Sequence, residues 1–162
     1  MKIKKIFIVL LLFNINFNDV YSISPDVFVQ STVNRASQIL SKNISKQEKI
    51  EELKSIAKET VDIKGVGFYS LGSARKNLNN KQKTQYFDLF EKYFLKSFSS
   101  RLSEYSDPKI NVLNQKYLNE KYTMVSSILV GDDKRPEIKI EWRVYTKDPD
   151  KLLIRDLIIE GL

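Results

Sequence analysis

The sequence predicts an α+β domain in which N-terminal helices pack on a four-stranded antiparallel β-meander. Two observations carry this reading. Up to about residue 105, apolar residues recur at steps of three and four, the spacing of one helical face. Beyond Pro108 they alternate with polar residues, the period of a strand with one buried side. A run of helices followed by a run of strands is the element order of an α+β fold.

Ser24-Pro25 has the cap and first-turn chemistry for a helix running to about Leu40. Ser45-Lys46-Gln47-Glu48 is a capping box, and Ile50, Leu53, Ala57 and Val61 follow as the apolar face of a second helix. Asp62 caps a short third helix ending near Gly72. Asn79, with Gln82 three residues on, opens a long fourth helix. Its face carries Phe87, Phe90, Phe94, Phe98, Leu102 and Tyr105, and Asp107-Pro108 is expected to stop it because proline cannot continue the hydrogen-bond ladder. Four strands are expected over Ile110–Leu118, Lys121–Val130, Glu137–Tyr145 and Leu152–Glu160. In the third, Ile138, Ile140, Trp142 and Val144 point one way while Glu137, Lys139, Glu141 and Arg143 point the other, so one face of the sheet meets water. Asn119-Glu120, Gly131-Asp132-Asp133 and Lys147-Asp148-Pro149-Asp150 supply the hairpin turns.

The first residues predict export. Lys2, Lys4 and Lys5, the apolar run Ile6–Phe13 and a cut after Val20-Tyr21-Ser22 make residues 1–22 a secretory signal peptide, leaving 23–162 as one domain. The run is shorter than the roughly 20 apolar residues that cross a bilayer, an uncleaved anchor being the alternative reading, and no cysteine follows it to carry a lipid. Removing Lys2, Lys4, Lys5 and Asp19 leaves 24 basic against 19 acidic residues, a net charge of +5. Basic residues recur along the chain with acidic ones between them. That pattern reads as a solvated surface, with attraction to anionic lipid or an acidic protein rather than a nucleic-acid module.

The chain has neither cysteine nor histidine. Disulfides, Ser-His-Asp and Cys-His catalysis are therefore excluded, and ordinary zinc sites nearly so. No cofactor, metal site or catalytic set is expected. An enzyme would have to work through carboxylates such as Asp62, Glu104, Glu141 or Asp156. Asp156, in an otherwise apolar strand, has a plainer reading as an outward-facing residue or a partner for Arg155 or Arg101. The stretch Arg101–Tyr105 reads either as a polar rim or partner contact or, more plainly, as a helix end, with Arg101 at the negative pole of the dipole and Tyr105 packed under the first strand.

Four stretches carry a family resemblance: Val61-Asp62-Ile63 with Phe68–Gly72; Gln85, Phe87, Phe90 and Phe94; Ser99–Ser106; and Ile154–Gly161. In this order and behind a signal peptide they resemble the MlaC family of periplasmic phospholipid-binding proteins, also called toluene-tolerance or auxiliary organic-solvent-resistance proteins. Residues 25–59 match only in helical character. The proline-glutamate pair usual after the long-helix cap is absent. The family also continues past Glu160-Gly161 into a final helix, whereas the last residue here is Leu162.

The resemblance implies an apolar cavity between helices and sheet that holds acyl chains. Phe68, Leu71, Phe87, Phe90, Phe94, Phe98, Ile138, Ile140, Trp142 and Val144 are the residues expected to line it. It further implies a monomeric periplasmic carrier of glycerophospholipid serving an ABC-transporter-linked system that maintains outer-membrane asymmetry. The implied partners are an inner-membrane complex presenting an MCE-domain protein and an outer-membrane lipoprotein-porin assembly. The alternative is a cone-shaped α+β enzyme acting on an apolar substrate.

Overall fold

The computed structural model describes residues 22–131 and 136–159. The stretch up to residue 21 that is expected to be a signal peptide, the Asp132-Asp133 part of the second turn and Glu160 at the end of the expected fourth strand lie outside the described residues. Four helices, α1 (Pro25–Ser41), α2 (Lys46–Thr60), α3 (Ile63–Ser70) and α4 (Asn80–Leu102), precede four strands, β1 (Ile110–Asn119), β2 (Tyr122–Leu129), β3 (Ile138–Tyr145) and β4 (Leu153–Ile159). A 3-10 turn, Gly72–Lys76, joins α3 to α4. The α+β reading is right, and every expected element forms.

Local chemistry sets the helix starts. Proline opens α1. Ser45 and Glu48 close a reciprocal capping box on α2, and Asn79 and Gln82 do the same on α4. Asp62 Oδ1 accepts from the Gly65 amide at 2.9 Å to cap α3. Helix α4 ends inside the stretch Arg101–Tyr105 that reads as a helix end, and not at the Asp107-Pro108 stop. The helix stops at Leu102, well before Pro108, and the next amides turn back onto Arg101 and Leu102. The bend carries Tyr105 onto the cluster of Ile39, Leu40, Leu53 and Ile56 between α1 and α2.

The strands form one antiparallel sheet in the order β1-β2-β3-β4. On β2, Thr123, Val125 and Ser127 are buried and alternate with half-buried residues. On β3, Ile140 and Val144 are buried and Lys139 is exposed. The outward residues of β3 and β4 pair across the wet face, where Arg143 meets Asp156 at 3.2 Å. Asp156 is thus arginine-paired as expected, but with Arg143 on the neighbouring strand.

Three apolar clusters tie the layers. Val29 and Val33 of α1 meet Val125 and Val144 of the sheet; the second cluster lies between α1 and α2; and Ala57, Ile63 and Leu95 join α2, α3 and α4. Past the end of α2, Val61 runs parallel to β4 at Ile154, and the Asp62 amide donates to the Ile154 carbonyl at 2.9 Å. The edge of β4 is thereby partly covered.

Candidate functional site

Between the helices and the sheet lies a cavity of about 390 Å³, partly open to solvent. Its volume falls within the range of roughly 300–1,000 Å³ typical of small-molecule sites. The helical wall comes from α1 through Val33, Ala36 and Leu40, from α2 through Leu53, Ile56 and Ala57, and from α4 through Phe94, Phe98 and Leu102. Ile138, Ile140 and Trp142 of β3, with Ile154 and Leu157 of β4, form the floor. The lining surface is almost wholly apolar; the charged residues that border it are Arg155 and Asp156, the latter with its carboxylate turned to Arg143 on the outer face.

Of the ten residues expected at the cavity, Phe94, Phe98, Ile138, Ile140 and Trp142 border it. The other five do not. Phe68 is 45% exposed on the outside of α3, under the guanidinium of Arg75 at 4.9 Å. Leu71 is half-buried at the end of α3, and Phe87 packs edge-on against Tyr86 at 5.7 Å. Phe90 belongs to the same stack of rings as Phe94 and Phe98, with centroids 6.2 and 5.5 Å apart, but its ring meets α3 at Gly67. A Cβ at residue 67 would come within 2.8 Å of that ring, so the missing side chain is what lets α3 sit there. Val144 is fully buried among Val29, Val33 and Val125, because α1 crosses the sheet directly above it.

The α1 and α2 wall was not singled out from the sequence. Its signal was the ordinary helical recurrence of Val33, Ala36 and Leu40 on α1 and of Leu53 and Ala57 on α2, which does not distinguish a core from a cavity wall. Trp142 solves the problem of an indole in such a wall through a hydrogen bond: its Nε1–H donates to the buried Ser127 hydroxyl at 2.8 Å.

One charged assembly stands at the wall. The register of β3 and β4 slips by one residue between Arg143 and Val144, leaving Arg155 as the extra residue of a bulge. Its side chain reaches the Asp62 carboxylate, with Nε donating to Oδ2 at 2.7 Å and Nη2 to the same oxygen. Nη1 donates to the Tyr122 hydroxyl at 2.8 Å, and the guanidinium lies 4.4 Å from the Tyr145 ring. Burial opposes the Arg155 charge, but the bonds to Tyr122 and Asp62 outweigh it and raise its pKa above the usual arginine value. Gly65 makes room for this pair, since a Cβ there would lie 2.6 Å from Asp62 Cγ and 3.0 Å from Arg155 Nε.

The other carboxylates considered for chemistry are dispersed. Asp62 is held by Arg155, Asp156 by Arg143, and Glu141 lies 3.5 Å from Lys139, while Glu104 is exposed beyond α4. Among the described residues, no three acidic side chains converge as a metal site. The geometry thus offers an apolar container, with one braced arginine at its wall.

Comparison with known proteins agrees with this geometry. A family model described as "MlaC protein" matches residues 30–162. Among solved structures, the chain is similar to a phospholipid-binding protein from Ralstonia solanacearum in complex with a phospholipid. The TM-score is 0.70 at 14% identity, over 86% of this chain and 80% of that one. No curated protein matches significantly.

Proposed function

The chain belongs to the MlaC family, and from that premise we propose that it carries a glycerophospholipid, sheathing the acyl chains between helices and sheet. The observation that supports this reading best is the apolar, partly open cavity itself. Each methylene hidden from water is worth about 0.8 kcal/mol, so a two-chain lipid crossing an aqueous space forgoes on the order of 20 kcal/mol unless its tails are covered. The phospholipid held by the Ralstonia protein, which has the same fold, supports the same ligand class.

In this reading the protein binds and releases its cargo without chemical change. It is exported to the periplasm by the basic and apolar leader at residues 1–22. Its docking partners are an inner-membrane ABC transporter presenting an MCE-domain protein and an outer-membrane lipoprotein-porin assembly, in a system that maintains lipid asymmetry. Family membership is what supports these partners.

Native mass spectrometry of gently purified protein, followed by lipid extraction, tests the carrier. Phospholipid at about one per chain is expected. Protein that holds none and takes none up from vesicles would overturn the proposal.

A further inference from the structure

The net charge is not evenly distributed. Residues 63–98 contain seven basic side chains, Lys64, Arg75, Lys76, Lys81, Lys83, Lys92 and Lys96, against Asp88 and Glu91. That segment is α3, the 3-10 turn and most of α4. Its excess of five equals the whole net charge of residues 23–162, so the rest of that stretch balances at 17 basic and 17 acidic residues. The sequence reading of basic residues interspersed throughout is corrected by this count.

Five of the seven, Lys64, Lys76, Lys81, Lys92 and Lys96, are exposed. Among the described residues, none of the seven forms an ion pair. Lys81 and Lys83 even stand near the start of α4, where the dipole disfavours cations, and no acidic residue occupies that first turn. Apart from Arg75, whose guanidinium lies over the Phe68 ring, local stability gives no reason for this charge.

Large apolar groups are exposed on the same elements. Tyr69 and Phe68 are 80% and 45% exposed on α3. Leu89 and Tyr93 stand four residues apart on α4, hence on one face, with Lys92 and Lys96 in the adjoining row. Aromatic rings with a polar tip and long-stemmed lysines are the side chains that settle at a lipid headgroup layer. The cores of protein interfaces favour arginine and are depleted in lysine, whereas six of these seven cations are lysine.

We propose that the outer face of α3, the 3-10 turn and α4 is a docking surface for an anionic phospholipid bilayer. The same helices wall the cavity through Val66, Phe94 and Phe98, so a bilayer held there lies beside the container. The inference extends the carrier reading to where lipid is met, and its test is independent of cavity occupancy.

The experiment is cosedimentation of the intact chain with vesicles of phosphatidylcholine alone and of phosphatidylcholine with equimolar phosphatidylglycerol. Binding to the mixed vesicles that weakens with salt is expected. Neutralising Lys76, Lys81, Lys92 and Lys96 together to glutamine should abolish it, at about fivefold per charge. Tyr69→Ser with Tyr93→Ser, with the lysines kept, should weaken it. Neutralising Lys116, Lys121, Lys147 and Lys151, all exposed on the strands and their loops, should change little. Thermal melting checks that each variant is folded, and single variants K81Q and K92Q replace the quadruple one if it is not. Equal binding to neutral vesicles, equal loss in the strand-side control, or capture by polyglutamate without capture by vesicles would overturn the inference.

Discussion

Ala36→Leu distinguishes a container from a core. Ala36 is half-buried in α1 and borders the cavity, so the three added carbons have empty space to enter. At about 0.8 kcal/mol per carbon hidden from water, the apo protein should gain up to roughly 2 kcal/mol, less a few tenths for helix propensity. The matched control is Val125→Leu, at a position with 0% exposure in the close-packed cluster above the sheet. One extra carbon there forces its neighbours apart and should cost about 1–3 kcal/mol. Phe98→Trp, whose ring faces the cavity, should behave like Ala36→Leu rather than like the control. Urea denaturation of delipidated protein gives the stabilities, and extraction with mass analysis gives the lipid retained. Bound phospholipid should fall in the two cavity variants while their apo stability holds or rises. If Ala36→Leu destabilises as much as Val125→Leu and leaves lipid content unchanged, the cavity is not the container.

Three further outcomes follow from the geometry. Asp62→Ala removes both the partner of Arg155 and the cap of α3; with the Arg155 side chain still 32% exposed, a loss of about 2–4 kcal/mol is expected, and Asp62→Asn, which keeps a capping oxygen, should lose about 1 kcal/mol less in the same denaturation assay. Gly67→Ala should cost about 1–3 kcal/mol against the Phe90 ring, and a double-mutant cycle with Phe90→Leu should recover much of it; strict additivity would show that the two groups do not meet. On acidification, hydrogen bonds from Ser45 hold the Glu48 pKa below its ordinary value, and the bond from Arg35 does the same for Glu59. A lowered folded-state value means that their stabilisation is complete above the unfolded pKa near 4.3 and is lost as pH falls through the folded values. The melting temperature should therefore drop below about pH 4.5, and it should drop less steeply in Glu48→Gln with Glu59→Gln, whereas identical acid limbs would refute the assignment.

The sequence by itself determined the elements and their order. Capping boxes at Ser45 and Asn79 act within three residues of themselves, and alternation along β3 needs only the pleat, so both were legible without knowing what packs where. The lack of histidine and cysteine restricted the chemistry before any fold was known. The collection of charge on residues 63–98 was also present in the sequence, but it acquired meaning as one surface only once α3 and α4 were packed together.

Tertiary structure decided which side chains face the cavity. Phe90, Phe94 and Phe98 form one stripe by spacing, yet Gly67 brings α3 onto the first of them while the other two remain at open space. Val144 repeats the pattern of Ile138, Ile140 and Trp142, yet α1 closes over it. Arg155 finds Asp62 93 residues away because a bulge in β4 supplies an extra residue beside the end of α2. Helical and strand periods specify only the face from which a side chain leaves its own element. Whether that face meets a neighbour, a void or water depends on contacts between segments distant in the chain, which no local period encodes.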